Sequence, residues 1–113
     1  MANYYSDHPE FDFYLNHPEM KRVVELKERN FADKDKYEDA PVDFDDAIEN
    51  YKRVLDITGD IAANILEPNS EAVDLEGPHL VEGRMHYASK TYENIEATRQ
   101  AGLWGISMPR RYG

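Results

Sequence analysis

Residues 43–68 read DFDDAIENYKRVLDITGDIAANILEP, and this stretch decides the fold. Phe44, Ile48, Tyr51, Leu55, Thr58, Ala62 and Ile65 follow one another in alternating steps of four and three. Ala47, Val54 and Ile61 run beside them at intervals of seven and widen the stripe to a core-facing helix face. Asp43 is an N-cap candidate, and Asp45 and Asp46 suit the positive end of the helix dipole. Pro68 is expected to stop the helix, giving a predicted span of Phe44 to Leu66. Gly59 inside that span costs about 1 kcal/mol against Ala, and two readings stay open for it: close approach of another helix there, or a glycine that is simply tolerated.

On the N-terminal side, His8-Pro9-Glu10 recurs as His17-Pro18-Glu19. Proline in a first turn loses no useful N–H, and the acid that follows suits the dipole, so each triplet reads as a helix start. The reading is a short leading helix from Pro9 to Leu15 and a helix from Pro18 to about Asn30, with Met20, Val23, Val24 and Leu26 as its apolar stripe. Ala32 to Asp46 turns acidic, is interrupted by Pro41, and reads as a solvated connection. Tyr4, Tyr5, Phe11, Phe13 and Tyr14 crowd the first fourteen residues. Two readings stay open for them: a tail folded onto the domain's own helices, or a patch that docks on a partner.

On the C-terminal side, residues 67–88 lack a helical period and are expected to be irregular. Gly77-Pro78 marks a turn, and Glu82-Gly83 suits a small hairpin between Leu80-Val81 and Met85-Tyr87. A helix resumes from Ser89 to about residue 101, with Ser89 or Thr91 as cap and Gly102 at the left-handed C-terminal position. Tyr92, Ile95 and Arg99 or Leu103 mark its inner side. The fold class is therefore all-α, a small helical bundle with main helices at about 18–30, 44–66 and 89–101. Ile48, Tyr51, Leu55, Ile61, Ile65, Ile95 and Leu103 are expected to be buried.

The 113 residues suit one domain, and 41% hydrophobic residues are enough for a modest core. Asp and Glu number 23 against 13 Lys and Arg, for a net charge of -10. That balance argues against nucleic acid and against an anionic membrane surface, both of which need a basic footprint. Cysteine is absent, which excludes disulfides, thiol catalysis and thiolate metal sites. No signal-peptide pattern or membrane-length apolar run occurs, so the expected compartment is the cytoplasm.

The chemistry-bearing motifs are equally sparse. Asp33-Lys34-Asp35 opens like a calcium loop, but Glu38 and Phe44 stand where that loop needs Gly and Glu. The four histidines, His8, His17, His79 and His86, have no zinc-protease spacing. His8 and His17 read as helix-start residues, and His79 and His86 as a surface pair flanking the hairpin. Ser70, Ser89 and Ser107 lack an elbow setting. No phosphate-binding glycine loop is present. Acid pairs such as Asp45/Asp46 and Glu71/Glu76 read as solvated faces. The residues themselves point to no catalytic, cofactor-binding or metal-binding residue.

One resemblance goes further. Ala62-Ala63-Asn64-Ile65-Leu66-Glu67-Pro68, followed by Asp74-Leu75-Glu76-Gly77, and then Ala101-Gly102-Leu103-Trp104-Gly105-Ile106-Ser107-Met108-Pro109-Arg110-Arg111-Tyr112-Gly113, resemble the N-terminal helical domain of flavin-dependent acyl-CoA dehydrogenases. The last stretch is the most specific, since its glycines, proline and tyrosine agree in order and spacing. Arg110-Arg111 departs from the acidic or mixed pair usual before Tyr-Gly. The resemblance divides the chain into an N-terminal helical extension with its acidic linker, 1–42, and the family's N-terminal domain, 43–113, taken as a truncated piece. It implies a parent that desaturates an acyl-CoA thioester in fatty acid metabolism, with FAD as cofactor and a homo-oligomeric state. Its partners are the parent's β domain and C-terminal helical domain, which supply the flavin contacts and the catalytic base. This piece would cover the acyl pocket and be inert alone. The alternative is a freestanding acidic helical interaction module.

Overall fold

The computed structural model describes residues 2–112. Its elements run α1 (Glu10–Leu15), α2 (Met20–Lys27), α3 (Phe44–Ile61), a π-helical turn (Ala62–Leu66), α4 (Glu67–Glu76), β1 (His79–Val81), β2 (Arg84–His86), α5 (Ser89–Gln100) and two 3-10 turns, Leu103–Gly105 and Arg110–Tyr112. The chain is mostly helical with one two-stranded antiparallel hairpin.

The long central helix starts as expected. The Asp43 carboxylate accepts the Asp46 N–H at 2.9 Å, and the Asp46 carboxylate in turn accepts the Val42 N–H at 3.0 Å. Two N–H groups at the helix entrance are thus satisfied reciprocally.

Pro68 does not end this helix. The π-helical turn widens the winding just before it, and the chain continues as α4 with Pro68 in the first turn. A proline ring ordinarily collides with the carbonyl four residues back, and a π-bulge relieves that collision by opening the ladder. The expected irregular stretch 67–88 is therefore helical as far as Glu76. The hairpin lies where it was expected, with Leu80 opposite Met85 and a turn at Glu82 (φ 50°) and Gly83 (φ 76°). Both turn residues are left-handed, the geometry that matches the twist of paired strands.

Neither Ser89 nor Thr91 caps α5. Glu76, the last residue of α4, accepts both the Ser89 N–H and the Ser89 hydroxyl, the latter at 2.8 Å. A carboxylate from one helix end thus closes the start of the next across the hairpin. Gly102 takes the left-handed position that ends α5, at φ 73°.

The N-terminal half differs more from expectation. α2 stops at Lys27, short of Asn30. Arg29, Asn30 and Phe31 are all left-handed, with φ of 49°, 56° and 60°. The Asn30 N–H bonds back to the Glu25 carbonyl at 2.9 Å, a helix-closing bond made here without glycine. The acidic stretch after it is not wholly solvated, since Asp33, Ala40 and Pro41 are buried.

The buried apolar core among the described residues is Val24, Ala40, Ala47, Ile61, Ala63 and Ala88, with Val24 and Ala47 fully enclosed. Of the seven positions expected in the core, only Ile61 is buried; Ile48, Tyr51, Leu55, Ile65, Ile95 and Leu103 are half-buried. α3 is turned so that Ala47 and Ile61, on the interval-of-seven line, face inward most closely. The shape explains the thin core: the radius of gyration is 17.7 Å, against about 13 Å for a compact domain of this length.

Gly59 meets the N-terminal tail, not another helix. The Tyr4 N–H donates to the Gly59 carbonyl at 3.1 Å, and the Asn3 side-chain amide donates to the Asp56 carbonyl at 3.0 Å. A methyl group on Gly59 would lie 2.6 Å from the Tyr5 backbone nitrogen. Gly59→Ala should therefore lower stability by about 1–3 kcal/mol, although Ala is the better helix former. Thermal denaturation checks this; a raised melting temperature would show that the tail is not seated on α3.

Candidate functional site

Met20, Val24 and Glu28 stand four apart on one helical ridge, which places an acid in line with a buried valine. The structure carries that line inward. Glu28 keeps only 2% of its surface in solvent. An ionised carboxylate so placed has to be paired. The Tyr51 hydroxyl, from the middle of α3, donates to Oε1 at 2.5 Å, and Arg110 Nη1 donates to Oε2 at 2.8 Å. Lys27 Nζ lies 3.8 Å from Oε1 and 5.4 Å from the centroid of the Tyr51 ring.

The left-handed turn after α2 brings further acids to the same guanidinium. Arg110 Nη1 is 3.7 Å from Asp33 Oδ2, and Arg110 Nε is 3.9 Å from Asp39 Oδ2. Asp33, itself buried, is held by Arg29 at 2.6 Å. Residues 28–39 thus form an acidic socket, and Arg110, 82 residues away in sequence, fills it.

The electrostatics identify what this cluster does. Burial pushes the Glu28 carboxyl upward, but the hydrogen bonds from Arg110 and Tyr51 outweigh it and leave the group below its ordinary value. Burial and the Glu28 hydrogen bond drive the Tyr51 phenol well up. The bond to Glu28 also raises Arg110 against the opposing effect of burial. Both carboxylate oxygens are occupied and the acid is held ionised, so Glu28 is not poised to take a proton from a substrate. The cluster is a charge-assisted fastener joining α2, α3 and the C-terminal 3-10 turn.

The other candidates disperse. His17 Nδ1 accepts the Glu19 N–H at 3.1 Å, a helix-start role, and His8 sits 3.2 Å from Glu10. His79 and His86 face each other across the hairpin with near-parallel rings, 5.9 Å between centroids, fully on the surface. Among the described residues no group of three or more His, Asp or Glu is arranged to hold a metal. Asp45 and Asp46 lie in the first turn of α3, and Glu76 caps α5. The Ser70 hydroxyl donates to the Glu67 carbonyl and the Ser89 hydroxyl to Glu76.

The first aromatics of the tail fold onto the chain's own central helix. Tyr4, Tyr5 and Phe11 line an almost wholly apolar cleft of ≈ 170 Å³ against Leu55, Thr58, Gly59 and Ala62 of the central helix. The Tyr5 hydroxyl reaches Asp12 at 2.7 Å, and burial first, then that bond, pushes its pKa up to about 12. Phe13 and Tyr14 instead meet edge to face at 5.6 Å and stay exposed. A second cleft of ≈ 330 Å³ lies between the α1–α2 corner and the start of α3, lined in part by His17, Lys21, Asp45 and Ile48.

Compared with known proteins, the chain matches no family model, no curated protein and no solved structure.

The fastener makes stability depend on acid. Glu28 has a lowered folded-state pKa, so its contribution is full above its ordinary value of 4.5 and is lost as pH falls through the native value. Glu28→Gln should cost about 1.5–3 kcal/mol at neutral pH and flatten the acid limb of a urea-midpoint profile. An acid limb identical in both proteins would show that Glu28 is not held as described.

Proposed function

We propose that this chain is the N-terminal helical domain of a flavin-dependent acyl-CoA dehydrogenase, acting as a cover over the acyl pocket of the parent enzyme. The observation that carries the reading is the surface at the end of the chain. Trp104, Ile106, Met108 and Tyr112, within the stretch whose glycines, proline and tyrosine resemble that family, expose 59–68% of their surface. Side chains of this kind held in solvent suit burial against further protein. The helix–hairpin–helix layout of α4, β1, β2 and α5 supports the reading, because it presents that stretch as the exit of a helix capped by Gly102.

The residues of this chain do not fit a flavin. A dinucleotide diphosphate is held by a glycine-rich turn and convergent N–H or cationic donors. Neither cleft has such a turn; the smaller is apolar, and the larger sets Asp45 beside Lys21 and His17. In this reading FAD, the catalytic base and the acyl-CoA contacts belong to the parent's β and C-terminal helical domains. This domain contributes exclusion of water from one side of the site.

Phe13 and Tyr14 favour a second reading, a freestanding acidic interaction module, because their edge-to-face pair is unpaired with the rest of the chain's own aromatics and open to solvent. The length of the encoding reading frame separates the two. The enzyme reading expects a frame several times longer whose product is yellow and is reduced by an acyl-CoA. It also expects a colourless 113-residue chain with no electron transfer from acyl-CoA to a dye. A full-length product lacking flavin would overturn it and advance the module reading.

A further inference from the structure

Residues 103–112 connect two regions that have little else in common. Their backbone hydrogen bonds are local: the Ile106 N–H reaches Leu103, the Met108 N–H reaches Gly105, and the Tyr112 N–H reaches Pro109. Among the described residues no backbone hydrogen bond ties this segment to another element. Side chains hold its two ends. Trp104 Nε1 donates to Thr98 Oγ1 of α5 at 3.0 Å, and Arg110 enters the socket of Glu28, Asp33 and Asp39. Gly102, left-handed, forms the joint with α5.

We infer that residues 103–112 are a strap, hinged at Gly102 and latched by Arg110 in the acidic socket, whose release lets the already exposed Trp104–Met108 stretch swing away from its fixed position while the helices stay folded. Three features of the latch suit it to this. The guanidinium is the only part of the segment that reaches the socket among the hydrogen bonds and ion pairs of the described residues. It remains one-quarter exposed, so water can take its place. When Arg110 leaves, Tyr51 and Lys27 stay with Oε1, and Oε2 passes to the water that takes the guanidinium's place. The left-handed turn at Arg29–Phe31 carries the chain from Glu28 to the other two acids of the socket. The inference stands on the contacts of this chain and does not depend on the enzyme reading.

Amide exchange by NMR on the 113-residue chain tests it, comparing the natural protein with Arg110→Gln and Arg110→Lys. In Arg110→Gln the Ile106, Met108 and Tyr112 amides should exchange roughly tenfold or more faster relative to those of α3, while α3 and α5 keep their protection. Arg110→Lys, which keeps the charge but not the fork, should fall between. Unchanged exchange in the strap of Arg110→Gln would overturn the inference. So would loss of protection in strap and helices together, because Arg110 would then be a support of the whole fold.

Discussion

An ionised carboxylate inside a protein has to be answered on both oxygens, and Glu28 imposes that demand on three separate parts of this chain. It caps the end of α2 in line with buried Val24, so the helix has to present that ridge inward. It faces α3, so Tyr51 has to present its hydroxyl inward. Its second oxygen is satisfied only when Arg110 arrives from the far end of the sequence. A buried ion pair is weak evidence of net stabilisation, because desolvation offsets much of the Coulombic gain. What it supplies here is register: a hydrophobic contact in its place would tolerate sliding of the C-terminal turn, and a two-oxygen, two-donor arrangement does not.

The second constraint is the spine formed by α3, the π-helical turn and α4. Gly59 lets the N-terminal backbone lie directly on the helix, and the π-helical turn just beyond it lets the helix pass Pro68. Asn64, within that turn, donates to the Ala2 carbonyl at 2.9 Å and to Asp60 at 2.7 Å. The distorted region of the helix and the docking of the tail therefore coincide. The tail, α1 and α2 are bound to the spine at one end by Asn3 and Tyr4 and at the other by Glu28, so the N-terminal part is held against α3.

What was legible in the sequence follows from whether the signal was local. The Asp43 cap, the hairpin turn at Glu82-Gly83 and the Gly102 helix end are each written in adjacent residues, and each is found. The stop expected at Pro68 failed because a π-helical turn leaves no mark in apolar periodicity. The early end of α2 failed because its left-handed turn uses Arg, Asn and Phe where a sequence reading looks for glycine. The stripe of α3 located a helix correctly and its depth of burial wrongly. In a thin, elongated molecule small residues such as Ala47 and Ala63 reach the interior, while larger ones stay half in solvent. The Glu28 socket was hardest to read. One signal was present, an acid on the ridge of Met20 and Val24, but its partner lies 82 residues on, and in a chain so rich in acids nothing marks one as buried.

The distribution of charge shows why that distant partner is an arginine. Residues 1–76 hold twenty acids and eight Lys or Arg, whereas residues 77–113 hold three acids and five Lys or Arg. The two parts therefore attract at long range, a field that favours encounter but carries no register. Two of the five cations of the second part are committed locally, Lys90 to Glu93 and Arg99 to Glu96, each within one helical turn. Arg99 meets both Glu96 carboxylate oxygens, at 2.8 and 2.5 Å, and with Gln100 lowers that carboxyl to about 2. Arg111 stacks on Tyr112, 4.8 Å from the ring centroid. Arg110 is the cation that crosses to the acidic half in the ion pairs of the described residues, and a planar five-donor fork can serve Glu28, Asp33 and Asp39 at once, which a lysine point charge does not. The general attraction draws the C-terminal turn toward the acidic half, and the socket converts that attraction into one position.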